Sequence, residues 1–344
     1  MKALVLAGGT GKRLRPLTNT TTKQLLPIAN RPILHYILDM VSVTGIEQVG
    51  ITTAPEWHDQ VRDTLGDGRH WGLSLHYLVQ EKPAGLADAV TVAGKYLGDE
   101  PFLMVLGDNI YKFEIGAFMQ HYAEEHPDTL LLLGEVSNPA RYGIADMPRG
   151  DTVIGVEEKP AIPRSNLALA GVYAFSPLIH DVIYGIKPSP RGELEITDAI
   201  QRLIEKGGKA RGHRLEGWWL DTGNLEDMLA ANQAVMDELM AESRSAEITG
   251  DNIICGKIHV ESGVQIANST INGPVSIGRD CKIIGSSIGP YTSLGPGSTV
   301  NNAILEFSII MAGASINDTR VKGSIVGAGC SCHDKTYIYH TILC

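Results

Sequence analysis

Two grammars of apolar and polar positions divide the chain. Up to about residue 240, short apolar runs alternate with amphipathic stretches of helical period. The runs Lys2–Leu6, Gln48–Thr53, Leu75–Val79, Phe102–Leu106, Thr129–Val136 and Val153–Glu157 predict strands. The stretches Ile33–Val43, His58–Leu65, Leu86–Lys95, Ile115–Glu125 and Glu195–Lys206 predict helices. Alternation of this kind predicts an α/β fold with a mostly parallel sheet covered by helices on both faces. Ligands of such sheets sit at the carboxyl ends of the strands.

From about Ile248 the helical period vanishes and aliphatics return about every six residues, the signature of a parallel β-helix. Ile258, Val264, Ile271, Ile277, Ile283, Ile288, Leu294 and Val300 form the run; Ile304, Ile310, Ile316, Val321 and Val326 continue it with slips. Between the halves, Leu225–Ala246 predicts a linking helix, with Met228, Leu229, Val235, Met236 and Leu239 on its packed side. The expected domains are therefore 1–240 and 241–344.

Bulk properties narrow the function class. The 344 residues carry 43% hydrophobic and 20% charged side chains and a net charge of −10. That balance predicts neither nucleic acid nor an anionic membrane surface as a partner, and it leaves room for a small phosphorylated substrate met by local cations. No apolar stretch has the layout of a leader or a membrane span, so a cytoplasmic setting is expected. Five cysteines lie in the last third with irregular spacing, which does not describe a disulfide framework. Cys330-Ser-Cys332 has the spacing of a metal or redox pair, but no second pair accompanies it, and buried thiols are the simpler reading. The eleven histidines show no metal spacing.

Candidate chemistry begins at LVLAGGTGKRLRPLT, residues 4–18. An apolar strand that runs into Gly8-Gly9-Thr10-Gly11 presents backbone N–H groups to an anion, and Arg13 adds a bidentate cation. The loop is not a Walker A motif, which would need glycine at Leu6 and a hydroxyl at Arg13. It is not a dinucleotide fingerprint either, since that pattern would end on Leu14. Lys23-Gln24 follows, inside TKQLLPI. Gln80 ends a strand with the donor and acceptor needed to read a base edge, and Gly85 would let backbone come close. LMVLGDN puts Asp108 and Asn109 at the sheet's carboxyl edge, a usual place for a magnesium ligand, and WWLDTG supplies a second carboxylate, Asp221. Tyr142-Gly143, Glu158-Lys159 and Arg191 form a second cationic station. Thr197-Asp198 reads as structural, and Glu195 as a helix cap.

LAGGTGKRLRPLT, TKQLLPI, GLADA, LGDN, YGI, EEKP, GELEITD and WLDTG, in this order over about 240 residues, resemble the sugar-phosphate nucleotidyltransferases. Lys12 departs from the family loop, which usually has threonine there. The resemblance implies a Rossmann-like nucleotidyltransferase sheet followed by a left-handed β-helix. It implies transfer from dTTP to glucose 1-phosphate, giving dTDP-glucose and pyrophosphate, with Mg2+. Leu6, Gly8, Gly9, Gly11, Arg13, Lys23, Gln24, Gln80, Gly85 and Asp108 would bind the nucleotide. Asn109, Gly143, Glu158, Lys159, Gly171 and Arg191 would bind the sugar phosphate, and Asp108 and Asp221 the metal. Arg13, Lys23 and Lys159 would supply the catalytic charge. Stacked coils with open ends also predict a homo-oligomer, through the β-helix or the catalytic domain. Three other readings stand beside this one. One is a uridylyltransferase for glucose 1-phosphate or N-acetylglucosamine 1-phosphate; another is a non-catalytic nucleotide-binding scaffold. The third is an acyltransferase in the β-helix, for which only His259 and His333 present themselves.

Overall fold

The computed structural model describes residues 1–9 and 11–343; Thr10 of the glycine-rich loop and Cys344, one of the five cysteines, lie outside the described residues. The chain forms two compact units, Met1–Thr10 with Leu34–Trp219, and Gly11–Ile33 with Leu220–Cys344.

In the first unit, nine strands make one sheet: β1 (Lys2–Ala7), β2 (Gln48–Thr53), β3 (Ser74–Val79), β4 (Phe102–Leu106), β5 (Thr129–Glu135), β6 (Gly143–Asp146), β7 (Gly155–Glu158), β8 (Leu167–Phe175) and β9 (Ala210–Arg214). Its main path runs β7-β6-β8-β4-β1-β2-β3, with β5 paired to β8 and β9. The center is parallel: Leu4 faces Gly50 on one side and Met104 on the other. β1 and β4 are apolar almost throughout because helices cover both faces.

The predicted strands all appear within two residues of their expected ends; Ile33–Val43 appears as α1 (Ile33–Ser42), His58–Leu65 is α2, and Ile115–Glu125 is a helix over those very residues. The Leu86–Lys95 helix is broken into α3 (Leu86–Val92) and a short turn, Gly94–Leu97. β8 was not anticipated. It is buried at all nine positions and runs antiparallel to β4 and β5. Its sequence, LALAGVYAF, has no alternation and is interrupted by Gly171, where the pairing with β5 shifts register between Leu169 and Tyr173.

At the outer edge, His121 and His213 meet with their Nδ1 atoms 3.2 Å apart, and His121 Nε2 lies 3.1 Å from Asp151. Burial first, and His121 second, push the His213 imidazole below its ordinary pKa of 6.5, against the opposing charge of Glu216. The folded state therefore binds fewer protons here than the unfolded chain. Its contribution is intact above the ordinary value and is lost as pH falls through and below 6.5. The expected result is a melting temperature that drops between neutral pH and pH about 5, with a shallower drop in His213→Phe; scanning fluorimetry across pH checks it, and equal slopes would refute the assignment.

In the second unit, α4 (Leu225–Glu238) starts on Asn224, whose side chain accepts from Asp227 N at 2.9 Å. The linking helix is shorter than Leu225–Ala246: it ends at Glu238, and Ser243–Thr249 is already a strand paired to Ile258–Ala267. Polar residues Glu242 to Ser245 cannot extend the apolar stripe, while pairing with Ile258–Ala267 gives the Ser243–Thr249 backbone partners along one side.

The remaining coils form a β-helix of parallel ladders. Its walls are three aliphatic columns: Ile266-Ile283-Val300-Ile316-Cys332, Ile254-Ile271-Ile288-Leu305-Val321-Tyr337, and Val260-Ile277-Leu294-Ile310-Val326-Ile342. Partners on successive coils are 17 residues apart early and 16 apart later, which is the source of the slips in the six-residue rhythm. Ile304, expected inside, is 44% exposed, and Leu305 takes the wall position opposite Ile288. Corners are turned by left-handed residues such as Asn268 (φ 51°), Asn302 (48°), Asp318 (49°) and Asp334 (50°), the side chains that tolerate this conformation best after glycine. Serines bridge coils: Ser269 Oγ accepts from Ser286 N, and Ser286 Oγ from Ala303 N, each at 3.1 Å. Cys330 and Cys332 are part of this core. Burial pushes the Cys281 thiol up to about 11, so it is packing material rather than a nucleophile.

Candidate functional site

Three groups of predicted residues come together, and each lies within one unit. The first is at the carboxyl ends of β1 and β3. Gln80, 6% exposed, donates its amide N–H to Asp88 Oδ2 at 2.7 Å and to Gly85 O at 3.2 Å. Its Oε1 is thereby turned toward Gly8, 2.7 Å from where a side-chain carbon would stand. The amide is fixed with its acceptor outward. Asp88, one turn into α3, does this orienting and was missed in the sequence; an acidic residue in a helix's first turn is too common to stand out.

Gly85 has φ 111°, and a Cβ there would lie 2.4 Å from Leu194 O and 2.6 Å from Leu194 N. Leu194 N donates to Ala84 O at 2.7 Å, and Ala87 N to Leu194 O at 3.1 Å. The close approach that demands glycine is thus to Leu194, where the sequence suggested a base. The bracket joins the loop after Gln80 to the loop that carries Arg191.

The second group faces that loop. Glu158 gathers three neighbors: Lys159 Nζ at 3.2 Å, Arg191 Nη1 at 3.1 Å, and the Thr197 hydroxyl, which donates to Oε2 at 3.3 Å. Gly143 lies under the same carboxylate, its missing Cβ 3.2 Å from Glu158 Oε2. Lys159 takes a left-handed turn (φ 44°), held by its N–H to Tyr142 O at 3.0 Å. Glu195 occupies the N-cap position of its helix but makes no cap hydrogen bond. Its carboxylate instead accepts from Ser189 Oγ at 2.9 Å and sits 3.6 Å from Arg191, because the arginine competes successfully for a nearly buried acid. Burial raises the pKa of Glu195 and of Asp198, and Glu158 adds to both. Lys159 and Arg191, both about two-fifths exposed, are the groups an incoming anion would meet.

Between these groups, Gly107 ends β4 with its N–H on Leu6 O at 2.9 Å, which presents half-buried Asp108 and buried Asn109. Asn109 Oδ1 is buried with no hydrogen-bond partner among the described residues. Gly171 (φ 86°) faces it: a Cβ would stand 3.0 Å from Asn109 Nδ2 and 2.8 Å from the Tyr111 hydroxyl. An amide oxygen left unmatched beside a glycine bulge leaves an acceptor for a ligand hydroxyl.

The third group is in the second unit. Lys23, 6% exposed at its side chain, donates to Asp221 Oδ1 at 3.0 Å, and exposed Arg13 approaches Oδ2 at 3.9 Å. Gly11 turns the chain with its carbonyl accepting from Thr18 Oγ1 at 2.9 Å. Gln24 is 1% exposed and bonded to the Thr22 hydroxyl, so it packs the loop from behind. Lys12 is exposed.

The pattern of the nucleotidyl transferase family matches residues 2–238. A glucose-1-phosphate thymidylyltransferase of Streptomyces griseus is 43% identical over 312 residues, covering 90% of this chain and 87% of the relative. The low-salt glycan biosynthesis nucleotidyltransferase of Haloferax volcanii is 40% identical over 313 residues, covering 90% and 87%. A solved Bacillus anthracis structure assigned to glucose-1-phosphate thymidylyltransferase, in complex with sucrose, has a TM-score of 0.65 at 33% identity, covering 70% of this chain and 98% of that one.

Proposed function

The chain belongs to the nucleotidyl transferase family, and from that premise we propose that it transfers a thymidylyl group from dTTP to glucose 1-phosphate, releasing pyrophosphate. The observation that carries the nucleotide choice is the locked amide of Gln80. With Nε2 committed to Asp88 and Gly85, only Oε1 faces outward. It accepts from a base edge that presents N–H, as thymine, uracil and guanine do, and has no donor for one that presents a bare ring nitrogen. The relatives named for thymidylyl transfer point to thymine among these. A single methyl is worth only about 1–3 kcal/mol of discrimination, so some use of UTP is expected.

In this reading Leu6, Gly8, Gly9 and Gly11 offer backbone to the triphosphate and Arg13, Lys23 and Gln24 shape its pocket, while Gly85 fixes the loop beside the base. Glu158 and Asn109 take sugar hydroxyls. Gly143 and Gly171 leave room, and Lys159 and Arg191 hold the sugar phosphate. No general base is needed. A phosphate monoester has its second pKa near about 6 and is already a dianion at neutral pH. The site's work is to hold two anions in line and offset their repulsion. Lys159 and Arg191 do so by exchanging carboxylate partners for phosphate oxygens.

Family members use a divalent metal, and we assign Mg2+ to Asp108 and Asp221. Each offers hard carboxylate oxygens, the donor type such an ion takes when it is shared with substrate phosphates, and Asp221 would exchange its contacts to Lys23 and Arg13, at 3.0 and 3.9 Å, for the ion. When bound, it supplies positive charge to phosphoryl oxygens. Residues 1–240 then form the catalytic domain and 241–344 the β-helix domain, in a cytoplasmic homo-oligomer. No helix is long and apolar enough to cross a membrane among the described residues.

Pyrophosphate release from dTTP, dependent on glucose 1-phosphate, tests the reading. Lys159→Ala should raise KM for glucose 1-phosphate about 10- to 100-fold, the worth of one charged hydrogen bond, and leave KM for dTTP nearly unchanged. Release without the sugar phosphate, or no release with any of dTTP, UTP and either sugar phosphate, would end the proposal.

A further inference from the structure

The segment that carries Arg13 and Lys23 is bonded to the β-helix side of the chain. After the turn at Lys23–Leu25 the chain forms a minimal hairpin, Pro27–Ile28 against Arg31–Pro32. Its tip is Ala29-Asn30, both left-handed at φ 46° and 68°. Consecutive left-handed residues are the two-residue turn that usually takes Asn-Gly, and alanine is a poor first member. The tip is held from outside. Ala29 N–H donates to Asn232 Oδ1 on α4 at 2.8 Å. Ala29 C=O accepts from Ser276 Oγ on the β-helix at 3.2 Å, and Asn30 Nδ2 donates to Ser276 Oγ at 3.0 Å. Asn232 Nδ2 continues to Tyr291 O, one coil further on, at 3.2 Å. Asn232 and Ser276 are 1% and 0% exposed.

These bonds close a ring. Asp221 leads into α4; α4 holds Ala29 through Asn232; the hairpin leads back to Lys23; and Lys23 returns to Asp221. The structure assigns Asn232 and Ser276 as positioning residues for the triphosphate pocket: they pin the hairpin tip so that Lys23 and Arg13 keep their place beside Asp221. The β-helix then serves nucleotide binding through its first coils, in addition to any role in assembly. The inference rests on the proposed function, and it deepens it by naming what sets the geometry of the nucleotide side alone.

Three changes in the full-length protein test it. Ser276→Ala and Asn232→Leu remove the anchors with little change of volume, and Asn30→Gly removes the side chain while suiting the left-handed turn. Each should raise Kd and KM for dTTP about tenfold, the scale of a small misplacement of charged groups, with KM for glucose 1-phosphate within about twofold. Ser276→Ala and Asn30→Gly should be non-additive, since they delete one shared bond. Hydrogen exchange should quicken across residues 11–33. Faster exchange or a lower melting temperature with dTTP constants unchanged would overturn the inference, leaving the anchors as ordinary packing. Equal losses for both substrates would also overturn it. Wild-type protein that fails to release pyrophosphate sinks the function itself, whereas active wild type with kinetically silent variants sinks only the positioning role.

Discussion

Asp221→Asn should lower turnover by about a thousandfold at saturating substrates, the several kcal/mol that metal-held charge supplies to a phosphoryl transition state. The same change has a second effect that separates it from an ordinary ligand loss. Lys23 is 6% exposed at its side chain and Asp221 is 27% exposed, so the pair is mostly removed from water. Deleting the charge of Asp221 takes a close opposing charge away from Lys23. A fully buried pair loses about 3–5 kcal/mol on such a change, and the partial exposure of Asp221 brings the expected loss to about 2 kcal/mol. Urea unfolding reads that loss, and steady-state kinetics with magnesium titrated reads the first effect. Asp108→Asn should share the kinetic defect. Full activity of both variants at limiting magnesium would dissolve the metal assignment, and an unchanged unfolding midpoint in Asp221→Asn would show that the Lys23 charge does not depend on Asp221 for stability.

Gly85→Ala should be the most damaging single methyl in the catalytic half. The added carbon would meet three backbone atoms of Leu194 within 2.9 Å, at a φ of 111° that alanine avoids. The conformation alone costs about 1–3 kcal/mol, and the collision is with backbone, which cannot swing aside. The loop must therefore move, taking the Gln80–Gly85 bond and the start of α3 with it. Activity should fall by about a hundredfold, as expected for displaced positioning groups, with losses for both substrates because the bracket also holds the Arg191 loop. A crystal structure of the variant with the Leu194 bracket intact, or near-normal activity, would contradict this account.

The parallel center of the sheet and the six-residue repeat were legible because each is periodic over many residues. β8 was not, since a strand buried on both faces has no alternation to read, and Gly171 interrupts its apolar run. The cationic station was legible as residue types: Gly143, Glu158, Lys159 and Arg191 do converge. Thr197, set aside as structural, belongs with them through its bond to Glu158. Asp88 and Leu194 were invisible because their effect is to orient or block, and nothing in a one-dimensional pattern marks a residue by what its neighbor needs. The Asn232–Ser276 anchors were hidden for another reason. They act on Ala29, about 200 positions away along the chain for one and more for the other, a separation that no local motif spans.

The coil geometry has a consequence for how such a chain changes over generations. Each coil repeats the pairing of the one before it after 16 or 17 residues, so losing or gaining one whole coil restores the register of everything beyond it. The anchors of the catalytic hairpin lie on Ser276 and, through Asn232, on Tyr291, near the start of the stack. Coils past Phe307 are further along, and lengthening or trimming them in whole turns leaves that attachment in place. The molecule thus separates a part that selection must hold still from a part that it is free to count, and diversity among relatives that carry such coils should collect in the last of them.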